Sequence, residues 1–468
     1  MKENKNKNKI VDYVIIGNSA AGVAAAENIR KSDKNGSIAI LTYESYKNYS
    51  KPLITYFLAG KVSLDKIYFK EEKFYSGNNL MLHVNSEVVS VDEKSRCLVT
   101  SDGKEFFYNK LLIASGGKPI IPEIKVTEKD NKSYIINSEN YSKIKGIFTL
   151  TTLKDAIKLK KYINENKISS VSILGGGLIG LKTAEAMLEL GLQISIIELS
   201  DRILSASFDN NASEIIESKI ESCNGSIFTN ATIDEIFLDD GRISFIKLRN
   251  GKKIACNLLV IAVGVKPNVD MLLKLKNFEG NFGDSSGFSV SSNFSNGIIV
   301  DSFMQTPIDN IYAAGDVIQS SDRLSGEQKN IAIWPLAVKQ GSIAGINMAG
   351  GNIKYRGGFF MNSIEIMGIP SISIGLNNLD DKISEGIKVF KEFNPEKNLY
   401  RKVTIRDNRV IGAILVGNIE RAGIYAGLIS NDIDISGVAG NIAKEDFGII
   451  QLPAEYRKHL VVGEGIEV

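Results

Sequence analysis

Short apolar runs rich in β-branched residues, each ending at a glycine and followed by helical spacing, recur along this chain. Ile10 to Ile16 stops at Gly17 and leads into the small-residue stretch Val23 to Lys31. Val171 to Leu174 stops at Gly175 and leads into a segment with Leu181, Ala184, Met187 and Leu188 on one face. A strand buried on both faces is apolar throughout, and the change to a 3.6-residue period marks the helix that covers it. Lys110 to Gly117, Leu258 to Gly264 and the run from Ile311 to Gly315 are predicted as further buried strands. Alternation replaces continuous apolarity at Leu80 to Gly103, around a turn at Asp92 to Ser95, and again at Ile227 to Val263, broken at Asp239-Asp240-Gly241 and Asn250-Gly251. These are meanders of half-buried strands. Tyr46 to Phe74 reads for most of its length as a helix burying Leu53, Phe57 and Leu58. Ile331 to Ala349 reads as a helix with Gly341 and Gly345 on one side, stopped by Gly350-Gly351. After Ile353, an alternating segment at Phe360 to Ile374 and a charged break precede a hairpin of Tyr400 to Ile405 with Arg409 to Leu415 across Asp407-Asn408. A helix is predicted at Asn418 to Leu428.

The glycine turns carry the candidate chemistry. In Gly17-Asn18-Ser19-Ala20-Ala21-Gly22, Gly17 permits a tight turn and Gly22 lets the helix lie close to the strand. The N–H groups of the first helical turn then face an anion that the helix dipole favours. Ser19 stands where glycine is usual and is small enough to serve. Some 22 residues beyond Gly22, after a second strand, Glu44 is placed to accept hydrogen bonds from an adenosine ribose. The pattern returns in full spacing at Gly175, Gly177 and Gly180, with Gly191 closing the helix and Glu198 ending the next strand. A carboxylate there binds a ribose 2′-hydroxyl and repels a 2′-phosphate, so NAD is preferred over NADP. Arg202 nearby counts against that preference. Both halves run glycine turn, meander, buried strand, glycine, Lys-Pro, about 160 residues apart, which indicates two dinucleotide sites. In Ile311 to Gln319, Gly315 is followed by Asp316, whose carboxylate can bond the ribityl or ribose hydroxyls of a cofactor held by the first turn.

Composition narrows the class. The 468 residues carry a net charge of +2, which gives no footprint for nucleic acid. No stretch approaches the length of a membrane span, and the polar start MKENKNKNK reads as a frayed tail on a cytoplasmic protein. Three scattered cysteines, Cys97, Cys223 and Cys256, and two histidines supply neither a disulfide framework nor a metal site. Asn277 to Asn296, full of Gly, Ser, Asn and Phe, reads as an irregular inserted loop whose role as lid or docking element stays open.

The motifs GNSAAG, ASGG, GGGLIG, AVGVKPN and YAAGD, in this order, resemble the two-dinucleotide-domain flavoproteins, the FAD/NAD-dependent pyridine nucleotide-disulfide reductases and their relatives. The resemblance implies an α/β fold with two Rossmann-like FAD- and NAD-binding domains, the second inserted in the first, and a C-terminal α+β domain. The boundaries it implies are a disordered tail at 1–9, an FAD domain at 10–120 and 258–350, an NAD domain at 121–257 and a rubredoxin-reductase-like domain at 351–468. By the same resemblance, Gly17, Ser19, Ala20, Ala21, Gly22, Glu44, Lys51, Pro52, Ser115, Gly116, Gly315 and Asp316 would touch FAD. Gly175, Gly177, Ile179, Gly180, Glu198 and Gly264 would line the NADH site. Relatives that act through one redox cysteine carry it in a Tyr-Ser-x-Cys segment, whereas this chain has Tyr49-Ser50-Lys51-Pro52. That places it beside the NADH:rubredoxin and NADH:ferredoxin reductases and the flavin portion of nitrite reductases. The implied activity is hydride transfer from NADH to FAD, then electron transfer to rubredoxin, ferredoxin or a partner iron–sulfur subunit, in a monomer or homodimer. The alternatives are direct reduction of oxygen or a small molecule, and a non-catalytic NADH sensor resembling apoptosis-inducing factor. Lys182 stands where many relatives have Glu. One reading makes it a cation that stabilises the reduced flavin; the other makes it a solvated helix residue.

Overall fold

The computed structural model describes residues 10–272, 296–377 and 386–452. The expected tail at 1–9 and, apart from Asn296, the inserted loop lie outside the described residues. The chain divides into two compact units.

The first unit comprises residues up to Ile120, Thr151–Lys161 and Val265–Gly358. Its main sheet runs Leu80–His83, Ile38–Leu41, Ile10–Ile16, Glu105–Ile113, Cys97–Thr100, Val88–Asp92, with Ile311–Ala313 also pairing Glu105–Ile113. The four strands around Ile10–Ile16 and Ile311–Ala313 pair in parallel, and the meander is antiparallel. The continuous apolar runs are therefore the ones buried on both faces. Helix Ala20–Ser32 follows the first strand and packs on helix Trp334–Met348. The seam is made of small residues: a Cβ on Gly341 or Gly345 would collide with the backbone of Ala21 or Ala25. The region 46–74 differs from expectation. It holds only the short turns Lys51–Leu53 and Leu64–Lys66, the five-residue helix Ile54–Leu58 and the start of Phe74–Gly77. Pro52 has no N–H for an earlier helical turn, and Gly60, at φ +80°, ends the later one.

The second unit comprises 121–150, 162–264 and the residues from Phe359 onward. A parallel sheet runs Ile147–Phe148, Leu258–Ile261, Ser170–Leu174, Gln193–Ile197, Ser226–Phe228, accompanied by helices Leu178–Glu189 and Asn210–Ser222. A second sheet carries the expected meander, with turns at Asp240-Gly241 and Gly251. The third is antiparallel, in the order Met361–Ile366, Ile369–Gly375, Arg409–Val416, Leu399–Arg406, Ile387–Asn394. Three boundaries move relative to expectation. Leu258–Ile261, expected to reopen the first domain at 258, has its backbone bonds in the second unit's parallel sheet, so the division falls after Gly264. The C-terminal strands, expected from 351, group with the second unit from Phe359, where the Met367 backbone N–H bonds the Glu185 carboxylate and the Tyr400 hydroxyl bonds Asp209. The helix expected from Asn418 begins at Ala422, four residues late, because a turn from Ile419 to Ala422 occupies its expected start. No helix among the described residues is long and apolar enough to cross a membrane.

Candidate dinucleotide sites

The first cradle is built at the C-terminal end of Ile10–Ile16. Gly17 takes φ +114°, and a Cβ there would meet the Ala114 carbonyl, while a Cβ on Gly22 would meet the carbonyl of Gly17. Strand, turn and helix thus close to a distance only glycine permits. Ser19 is the N-cap in extended conformation but makes no side-chain cap bond, so it leaves the first-turn N–H groups of Ala20 and Ala21 to a ligand. Glu44 accepts the Tyr49 hydroxyl at 2.6 Å, and Leu153 N–H donates to that same phenol oxygen at 3.1 Å. Burial first, and the Glu44 carboxylate second, push the Tyr49 phenol far above its usual range, so it stays a donor that fixes the carboxylate.

Asp316 and Lys51 come together in the same unit. Burial raises the Asp316 carboxyl above its ordinary value, and the Lys51 charge opposes that rise. A desolvated carboxylate beside a cation suits hydroxyl groups that donate to it. Gly315, at φ +83°, lies against Ala21 and Ala337 and donates its N–H to Gln340 at 3.0 Å. Ser115 uses its hydroxyl to bond the Asn268 carbonyl at 2.7 Å, and Asn268 N–H returns a bond to Gly116 at 2.9 Å. Both therefore clamp the Gly117–Pro119 and Val265–Pro267 ribbon. Pro52 is exposed in the Lys51–Leu53 turn. The glycine-only approaches, the free helix start and the desolvated Asp316 fit an FAD dinucleotide. Asn18 of the turn joins Asn48 and Tyr75 in a buried hydrogen-bonded cluster that no sequence pattern signals.

The second cradle repeats the design. Gly175 takes φ +113° against the Ala262 carbonyl, and Gly180 packs on the Gly175 carbonyl. Gly177 is an extended N-cap, and Ile179 is part-exposed on the first turn. Glu198 accepts N–H bonds from Gly176 at 2.6 Å and Ser200 at 2.8 Å, which hold its carboxylate at the turn. The Arg202 guanidinium donates to Phe208, Ser205 and Asp201 of its own loop. Gly264, at φ +117°, ends the segment after Leu258–Ile261.

Lys182 is paired. Its ammonium meets the Glu185 carboxylate and donates to the Glu365 carbonyl at 3.0 Å, while Glu185 accepts Met367 N–H at 2.7 Å. With its side chain 15% exposed, it is not a solvated helix residue. All three cysteines are free, with Cys97 and Cys256 buried and their thiols pushed up by desolvation.

The sequence profile described as pyridine nucleotide-disulphide oxidoreductase matches residues 11–341, and that of the rubredoxin NAD+ reductase C-terminal domain matches 361–433. The chain is 29% identical over 427 residues to the NADH-dependent phenylglyoxylate dehydrogenase subunit epsilon of Aromatoleum evansii, covering 91% of this chain and 92% of that one. It is 28% identical to the nitrite reductase [NAD(P)H] of Bacillus subtilis, where 90% of this chain spans 48%, about half, of the relative's length. The solved NADH:rubredoxin oxidoreductase of Clostridium acetobutylicum superposes with a TM-score of 0.69 at 24% identity, over 92% of this chain and 98% of that one. The chain belongs to the pyridine nucleotide-disulphide oxidoreductase family, whose members work with FAD and NAD(P)H.

Proposed function

We propose that this protein oxidises NADH and passes the electrons to a small iron–sulfur protein, a rubredoxin, a ferredoxin or a partner subunit. The observation that carries the reading is Lys51-Pro52 where a thiol-dependent relative would need its cysteine. With Cys97 and Cys256 buried elsewhere, no thiolate stands in that segment to relay electrons to a disulfide, peroxide or persulfide. The C-terminal match to the rubredoxin reductase domain supports the same acceptor class.

Bound FAD supplies the step from two-electron hydride acceptance to single-electron release. The residues do the holding. Gly17, Ser19, Ala20, Ala21 and Gly22 seat the pyrophosphate, Asp316 and Glu44 accept from hydroxyls, and Lys51 balances the Asp316 charge. Gly175, Gly177, Ile179 and Gly180 seat the nicotinamide dinucleotide. Glu198, pinned by two N–H groups, selects a free 2′-hydroxyl, and Arg202, committed to its own loop, offers a 2′-phosphate little. NADH is thereby favoured over NADPH.

The test is anaerobic stopped-flow reduction by NADH and by NADPH, followed by mixing with oxidised rubredoxin, ferredoxin or air. The expected result is bleaching at least about tenfold faster with NADH at equal low concentration, since one mispaired charge costs about 1.4 kcal/mol or more, and rapid reoxidation by the iron–sulfur protein alone. Rapid reoxidation by air would make the protein an oxidase. A reduced form that no acceptor reoxidises would make it a sensor.

A further inference from the structure

We propose that Ser373, on a central strand of the C-terminal sheet, is a positioning residue for the second dinucleotide site. Through the loop 199–209 it holds the Gly176 peptide, whose N–H aims Glu198, and so sharpens the preference for a free 2′-hydroxyl.

The links run in one direction from the sheet to the carboxylate. The Ser207 carbonyl can only accept, so the Ser373 hydroxyl proton points to it at 2.6 Å, while Asn377 Nδ2 donates to the Ser373 oxygen at 3.0 Å. Ser373 is buried, and water does not compete for that proton. Ser207 and Phe208 donate their N–H groups to the Leu204 carbonyl at 2.8 and 2.9 Å, which closes a tight turn. Leu204 N–H donates to the Gly176 carbonyl at 2.9 Å, and Gly176 N–H donates to Glu198 Oε2 at 2.6 Å. Two residues beyond Ser207, Asp209 is gripped by the same sheet through the Tyr400 hydroxyl at 2.6 Å and the Lys402 ammonium at 3.1 Å.

Leu204 is where the loop is forced into shape. It takes φ +54°, a left-handed conformation that is costly for a residue with a bulky side chain, and it is buried. A backbone in that region persists only where its surroundings impose it. Here its N–H is engaged by the glycine turn and its carbonyl by the two residues next to the Ser373 anchor. Ile203 packs on the turn directly, since a Cβ on Gly176 would come within 3.0 Å of Ile203 Cγ2. The Ser205 and Phe208 carbonyls that occupy Arg202 flank Ser207, so the same anchor keeps that guanidinium on the loop. Glu198 itself stays partly exposed, where a ribose can meet it. With the loop released, Gly176 and Glu198 gain freedom; the carboxylate then binds a 2′-hydroxyl less well and repels a 2′-phosphate less strongly.

The proposal rests on Glu198 facing the ribose of the nicotinamide dinucleotide, as in the function proposed above, and the experiment separates the two. In anaerobic stopped-flow reduction of the holoenzyme, Kd and the limiting rate are measured for NADH and for NADPH with wild type, Ser373→Ala and Tyr400→Phe. Ser373→Ala should raise Kd for NADH about twofold to tenfold, the span of one neutral hydrogen bond. It should leave the limiting rate of reduction where it was, and Kd for NADPH unchanged or lower. Tyr400→Phe should move Kd for NADH in the same direction by less, since Lys402 still holds Asp209. Variants that weaken both dinucleotides alike, or neither, overturn the proposal, because a merely structural bond has no reason to tell them apart. A wild-type protein with equal Kd for NADH and NADPH overturns the role of Glu198, and this proposal with it.

Discussion

Asp316 is a carboxyl whose burial outweighs the Lys51 charge near it. A carboxyl raised above its ordinary value of 3.8 by burial binds its proton more tightly in the folded than in the unfolded chain. Stability of the flavin-free protein therefore falls as pH rises from about 3.8 through the raised folded value, and the loss is complete above it. Asp316→Asn has no charge to desolvate. At pH 7 the flavin-stripped variant should melt about 2–4 °C higher than wild type, the gap closing near pH 3.8 where both are neutral, and it should bind FAD more weakly for want of a full acceptor. A stripped variant that melts lower at pH 7 would show that Asp316 stabilises the fold. Glu198 makes the contrasting case, since two backbone N–H groups already hold its carboxylate before any ribose arrives.

Among the elements, helix Leu178–Glu189 does two tasks. Its first turn forms the second cradle. One turn later, Lys182 and Glu185 tie it to the turn of the Met361–Ile366 and Ile369–Gly375 hairpin. A paired ammonium presents a dipole more than a net charge, so its field at any distance is much weaker than that of a lone cation. The expectation of a cation tuned to the flavin therefore competes with a fastening role, and one variant decides between them. Lys182→Ala leaves Glu185, whose side chain is 9% exposed, without that counter-charge. It should lower unfolding free energy by about 2–4 kcal/mol in denaturant titration while leaving the flavin potential where it was. A shifted potential with unchanged stability would restore the electrostatic role.

At the scale of the molecule, the C-terminal strands are part of the second unit's own fabric. Tyr400 donates to Asp209 at 2.6 Å and Lys402 pairs with it at 3.1 Å, while Asp209 also caps helix Asn210–Ser222 through Ala212 N–H. Ser373 bonds the Ser207 carbonyl at 2.6 Å. A chain ended at Gly358 would strip Tyr400 and Lys402 from Asp209, and Ser373 from Ser207. It should aggregate or bind a hydrophobic dye when purified, and cooperative unfolding at the full-length midpoint with intact NADH binding would contradict this.

The sequence by itself determined the two cradles, because a strand, a glycine turn and a helix are local: apolar run, positive-φ glycine and small-residue helix all lie within about 25 residues. It also determined the meander turns at Asp240-Gly241 and Gly251 and the hairpin across Asp407-Asn408, all written in local turn chemistry. Tertiary structure decided what local patterns leave ambiguous. An apolar run such as Leu258–Ile261 suits any parallel sheet, and only hydrogen-bond partners choose which. Ser115, placed by resemblance at the cofactor, spends its hydroxyl on a ribbon clamp. Lys182 meets a hairpin turn some 180 residues away. The Asn18, Asn48 and Tyr75 chain joins three polar residues with no shared period, since the order of donors and acceptors exists only once the backbone has brought them together.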